Sequence, residues 1–205
     1  MIVNTISQLK DSSIFILSAL LITALIETSN VNSQETELQT FNNSEIKVNY
    51  PSSWEIAPTT NSTFPYYGSD TLVVFKPIGE TNPLNITYLN ISPLQVGTSL
   101  GNTSLAASRD SLDKIVSEQI AFLQDPESFY GNLDVEILAN NATTVDSLPA
   151  KELIYLIHGL GTFDSEIVVI HGDKQYLLHF TTPISNVSET LPTAQQIIKS
   201  LKFNT

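Results

Sequence analysis

Glu166-Ile-Val-Val-Ile-His171-Gly172-Asp173-Lys174-Gln-Tyr-Leu-Leu-His179-Phe-Thr-Thr182 decides the fold. Two runs rich in β-branched and aromatic residues flank a Gly-Asp pair, which is the signal of a two-residue β-hairpin. With that loop, Glu166 pairs across the hairpin with His179 on one face and His171 with Lys174 on the other. Upstream, Ala150 to His158 reads as a further strand. A three-residue loop at Gly159 to Gly161 then brings Ile154 beside Glu166 and His158 beside Thr162. Hairpin connections of this kind make the sheet mainly antiparallel.

The remaining segments extend the same pattern. Leu133-Asp-Val-Glu-Ile137 alternates apolar and polar residues, and Asn140-Asn141 predicts the turn that follows it. Further back, Glu45 to Tyr50, Ser53 to Ile56, Thr71 to Phe75 and Leu84 to Ile91 read as strands, with Trp54 as a core residue. Ser104 to Gln124 changes the period: Leu105, Leu112, Ile115, Val116, Ile120 and Leu123 recur at helical spacings, and Pro126 closes the helix. A last helix runs from about Glu189 to Lys199, with Ser188 as its predicted cap. Strands, one long helix, a meander and a final helix give an α+β sandwich, because both apolar stripes need a sheet face to cover.

Acidic residues outnumber basic ones 21 to 9, for a net charge of −12. Such a surface repels phosphates, which argues against nucleic acid and against a polybasic membrane contact. Without a single cysteine the chain has neither disulfides nor a lipid-modified cysteine, so packing and hydrogen bonds carry its stability.

Ile14 to Ile26 is uncharged and apolar, follows Lys10 and leads into a polar stretch. It is short for a bilayer span, which takes about 20 residues, and suits a signal peptide. Residues 1–33 are therefore expected to be a signal peptide or an N-terminal anchor with a polar tail; release and tethering both stay open, because no Ala-x-Ala site precedes a cut. The expected location is secreted or cell-surface anchored, with membrane contact only through this segment. Asn-x-Ser/Thr sequons at Asn42, Asn61, Asn85, Asn90, Asn102, Asn141 and Asn186 exceed the roughly three that composition predicts. Asn61, Asn102, Asn141 and Asn186 sit among turn residues and are the expected glycosylation sites. Asn85 and Asn90 lie five apart in a strand and face opposite ways, so they are weaker candidates.

Four stretches carry a family resemblance: Ile46-Lys-Val-Asn-Tyr-Pro-Ser-Ser-Trp54, Val145-Asp-Ser-Leu-Pro-Ala-Lys-Glu-Leu153, Lys174-Gln-Tyr-Leu-Leu-His-Phe-Thr-Thr-Pro183 and Ile197-Ile-Lys-Ser-Leu-Lys-Phe203. In this order they resemble the PsbP-like group, named for an extrinsic oxygen-evolving protein of photosystem II. The resemblance implies that residues 41–205 form a PsbP-like domain, an αβα sandwich with a central, mainly antiparallel sheet flanked by helices. It carries fold and not activity, since these are packing elements and family roles range from calcium and chloride retention to binding a GTPase. The family usually has Gly where Ser147 stands, a departure that costs little where the turn avoids positive φ.

Few residues of the chain carry a pattern that points to chemistry. His158, His171 and His179 are the only histidines, and none has a metal-ligand spacing. Glu166 and His179 form the one candidate polar site, an acid and a base placed together by the hairpin register; a cross-strand ion pair beneath a helix is the plainer reading. No nucleophile elbow, phosphate cradle, calcium loop or cofactor motif is present: Gly159-Leu-Gly161 lacks the third glycine, and no catalytic, cofactor or metal residues are assigned. Tyr66-Tyr67 in a long loop reads equally as an aromatic contact and as a cover for Trp54. The expectation is an exported, non-enzymatic binding or accessory protein whose partner is an unidentified protein or small ligand at the cell exterior. The alternatives are a calcium or other metal-ion retention module and a hydrolase built on Glu166 and His179.

Overall fold

The computed structural model describes residues 37–58, 71–80, 86–94 and 109–204. The expected leader at 1–33, the sequons at Asn61, Asn85 and Asn102, the start of the first helix and Tyr66-Tyr67 lie outside them. Ten strands are described: β1 (Leu38–Asn42), β2 (Ile46–Pro51), β3 (Trp54–Ile56), β4 (Val73–Pro77), β5 (Tyr88–Pro93), β6 (Val135–Val145), β7 (Leu148–Ile157), β8 (Thr162–His171), β9 (Lys174–Pro183) and β10 (Lys202–Phe203). Helix α1 (Arg109–Gln124) precedes β6, and α2 (Val187–Ser200) precedes β10. Every strand pairing is antiparallel, which establishes a mainly antiparallel α+β fold.

Seven strands form one sheet in the order β3-β4-β5-β9-β8-β7-β6, and β1-β2-β10 form a second. The second sheet departs from the expectation of a single one. Tyr50-Pro51-Ser-Ser-Trp54 is the corner where the chain leaves the small sheet for the large one, and both aromatic residues are buried there. Strand β8 shows how the layers share the core. Val168 joins the apolar cluster containing Leu112, Ile115, Val116 and Leu123 of α1, while Ile167 and Val169 join the cluster containing Ile46 and Val48 of β2 and Ala194 and Ile197 of α2. Alternation along one strand thus feeds two separate cores.

The β8–β9 hairpin has the predicted register, Glu166 opposite His179 and His171 opposite Lys174. Its neighbour differs by one residue. Ile157 pairs with Thr162, so the loop holds four residues and Glu166 faces Leu153 instead of Ile154. Backbone bonds from His158 N–H to the Asp134 carbonyl (3.0 Å) and Gly159 N–H to the Leu133 carbonyl (2.7 Å) pull His158 out of the ladder. A side chain at Gly159 would meet the Leu133 carbonyl at 2.9 Å, so the approach requires glycine.

Asn140-Asn141 is not a turn. Strand β6 runs through it, interrupted only by a bulge at Leu138, and the chain reverses at Asp146-Ser147. Both turn residues have positive φ, 49° and 67°, as a two-residue type I′ hairpin requires. Ser147 therefore occupies the left-handed region that the family's glycine would take without strain, and the departure has a cost. At α2 the residue at the cap is Asn186, not Ser188, and it makes no side-chain capping bond.

Two carboxylates clasp the chain's last strand and the hairpin beside it. Asp146 accepts from the Lys202 ammonium (2.7 Å) and from the Phe203 backbone N–H (2.9 Å). Glu45 accepts from the Tyr176 hydroxyl (2.7 Å) and pairs with Lys174 (3.1 Å), and its carbonyl accepts from the Asn204 N–H (2.8 Å). Between these two contacts His171 stacks on Phe203, with ring centroids 4.6 Å apart and planes 12° from parallel.

Candidate functional site: a buried acid–base cluster

Strand period and register assemble the site. Asp164 and Glu166 lie two apart on β8 and so share a face; His179 on β9 pairs with Glu166, and Tyr155 on β7 pairs with Asp164. Helix α1 adds Gln119 from above. Glu166 and His179 are brought side by side as the sequence predicts, but they are not each other's hydrogen-bond partners. His179 Nε2 bonds to Asp164 Oδ1 at 2.9 Å, and the other Asp164 oxygen accepts from Thr162 Oγ1 at 2.8 Å. Glu166 Oε1 accepts from the Tyr155 hydroxyl at 2.8 Å and from Gln119 Nε2 at 3.3 Å.

Burial governs the electrostatics. Tyr155, Asp164 and Glu166 are exposed by only 2%, 4% and 7%. Burial pushes the Glu166 carboxyl above its ordinary range, and the nearby His179 charge and the Tyr155 hydrogen bond only partly reverse this. For His179 burial works against protonation, but the Asp164 hydrogen bond and the charges of Glu166 and Asp164 outweigh it, so its pKa rises. Tyr155 is held well above the usual phenol value, by burial first and then by the two carboxylates, and remains a hydrogen-bond donor. Between α1 and the sheet the space left is a void of about 10 Å³ lined by Gln119, Glu166, Leu153 and Val168 among others, at the lower limit for one water.

The Tyr88 ring meets His179 edge-on at 5.8 Å. Asn90 pairs with His179 from β5; it is buried, and its side-chain oxygen has no partner among the described residues. A buried Asn90 has no room for a glycan. Asn141 is exposed, though in mid-strand and not in a turn, Asn42 is exposed at the end of β1, and Asn186 is half-buried and accepts from the Ser185 hydroxyl. The other histidines go elsewhere: His158 pairs with Glu136 at 2.9 Å on the surface, and His171 lies against Phe203. Among the described residues, no group of three Asp, Glu or His side chains is placed to hold a metal ion.

Asp164, Tyr155 and Gln119 are the members that sequence reasoning missed. Asp164 was legible, since the period of two puts it beside Glu166.

Comparison with known proteins bears on the fold. The family model described as "PsbP-like protein" matches residues 14–203. Among solved structures, the chain is similar to cyanobacterial PsbP (CyanoP) from Synechocystis sp. PCC 6803, with a TM-score of 0.53, 14% identity, and 87% of this chain and 99% of that chain covered. It is also similar to a Pseudomonas aeruginosa protein of unknown function, with a TM-score of 0.50, 12% identity, and 82% and 99% covered. LpqN, involved in cell envelope biogenesis of Mycobacterium tuberculosis, aligns with a TM-score of 0.48, 12% identity, and 85% and 95% covered. No curated protein matches the sequence. At these identities the solved structures speak to fold alone, whereas the family match runs through nearly the whole sequence: the chain belongs to the PsbP-like protein family.

Proposed function

We propose that this chain is an exported accessory protein, an αβα sandwich that holds a partner at the outer face of the cell and does not turn over a substrate. The observation that carries the reading is the burial of the carboxylates and the phenol of the Asp164–Glu166–Tyr155–His179 cluster. Glu166, Asp164 and Tyr155 are buried, with space for about one water beside Glu166 under α1, and only His179 keeps part of its side chain, 19%, exposed; a general acid or base has to come within hydrogen-bond reach of its substrate. The sandwich layering is supported by the two separate apolar clusters, one holding α1 and the other α2. Export is supported by the apolar segment Ile14 to Ile26 and by the excess of sequons.

Crosslinking on intact cells followed by recovery of the full chain tests this. A crosslinked partner that is also recovered by His179→Gln supports the accessory reading. Hydrolysis of any member of an ester, amide or phosphoester panel that is lost in His179→Gln would overturn it. Protease added to intact cells should digest the domain; full protection of the domain would overturn export.

A further inference from the structure

Strand β6 ends the seven-stranded sheet, so one side of its backbone has no strand partner within the described chain. Natural sheets protect such edges with charge, proline or short length. The three-residue β3 at the opposite edge follows that rule, but β6 is 11 residues long, and from Ile137 to Val145 it contains neither a charge nor a proline. Its protective devices, the charged Glu136 and the bulge at Leu138, both lie near its beginning. Asn140, Asn141, Ala142 and Thr144 are exposed.

The turn fixes which backbone groups point outward. Around the Asp146-Ser147 turn, Val145 and Leu148 form the hydrogen-bonded pair of a two-residue hairpin, and pairs alternate from there. Thr143 and Asn141 therefore bond inward to β7, and Thr144, Ala142 and Asn140 turn their N–H and C=O groups out. These three outward residues are symmetric about Ala142, whose side chain is the smallest of them.

We infer that β6 is a self-association edge, where a second copy of this chain pairs antiparallel about a two-fold axis at Ala142. Asn140 pairs with Thr144 of the second copy, Ala142 with its own equivalent, and Thr144 with Asn140 of the second copy, giving about six backbone hydrogen bonds. Charge selects this occupant. In a chain of net charge −12, nine consecutive uncharged edge residues give two copies a line of approach without like charges opposed, and offer a basic partner nothing to grip. This inference is independent of the accessory reading.

The absence of native cysteine makes the test direct. In the full chain, Ala142→Cys sets two thiols on the axis with Cα atoms about 5.5 Å apart, within disulfide range. Ser147→Cys, exposed at the turn, sets them roughly 30 Å apart in the same dimer. Mild oxidation should produce the covalent dimer at least about tenfold faster from Ala142→Cys than from Ser147→Cys. Ala142→Lys, which opposes two ammonium groups, should weaken self-association in sedimentation by about tenfold while leaving the urea midpoint unchanged at dilutions where both chains are monomeric. Equal oxidation rates, or sedimentation unaffected by Ala142→Lys, would overturn the inference.

Discussion

The Asp164–Glu166–His179 cluster and the Glu45/Asp146 clasp are built from the same chemistry, carboxylates facing basic and hydroxyl groups, yet the Glu166 ionisation is pushed the opposite way from those of Glu45 and Asp146. In the cluster, burial leads and raises the Glu166 pKa. At the clasp, hydrogen bonds lead: Tyr176 and Lys174 lower the Glu45 pKa, and Lys202 and the Phe203 N–H lower that of Asp146 despite some burial. Burial sets the sign for Glu166, and hydrogen-bond partners set it for Glu45 and Asp146.

The contrast breaks most visibly if one buried partner is removed. Asp164→Ala leaves His179 without its hydrogen-bond partner inside the sheet and should cost about 3–5 kcal/mol in urea unfolding. A loss below about 1 kcal/mol would mean that the cluster is solvated. Tyr155→Phe removes one donor to Glu166 and should cost about 1–3 kcal/mol by the same measurement.

Opposite shifts also demand opposite pH slopes. A raised Glu166 pKa contributes stability that is complete below its ordinary value of 4.5 and is lost as pH rises through the folded value. The raised His179 acts in the same sense, complete below 6.5 and lost as pH rises. Lowered pKa values at Glu45 and Asp146 contribute stability above 4.5 and 3.8, which is lost as pH falls. Relative to the native chain, Glu166→Gln should therefore gain ground as pH rises above the ordinary carboxyl value of 4.5, while any deficit of Asp146→Asn should shrink as pH falls below 3.8. Unfolding curves at stepped pH decide this, and parallel slopes for the two variants would erase the distinction.

Smaller effects belong to the clasp. Ser147→Gly relieves a left-handed serine at the turn that presents Asp146 and should add about 1 kcal/mol in urea, leaving the buried cluster untouched. Asp146→Asn should cost less than about 1 kcal/mol at neutral pH, and added salt should reduce the loss further, because the Lys202 pair is solvent-facing.

How much of this was legible follows the range of each signal. The β8–β9 register came from two adjacent residues, Gly172-Asp173, whose backbone preference is local. The next hairpin failed by one residue because His158 is drawn off by backbone contacts with Leu133 and Asp134, which nothing nearby announces. That single step hid Tyr155: a one-residue slip exchanges the faces of β7 and puts Ile154 where the structure puts Leu153, with Tyr155 beside Asp164. The Asp146-Ser147 turn was missed for a related reason, since it adopts positive φ without the glycine that normally marks it. The second sheet was beyond reach, because the pairing of Ile46 with Phe203 joins the two ends of the domain and leaves no periodic trace between them.

That same pairing imposes an order of events. A chain made or threaded from its N-terminus presents Ile46 and Val48 early, but α2 and β10, which pack against β2 or pair with it, arrive about 150 residues later. At usual synthesis rates the delay is roughly ten to thirty seconds. Throughout it β2 lacks part of its apolar cover, so the small sheet closes only once β10 has emerged.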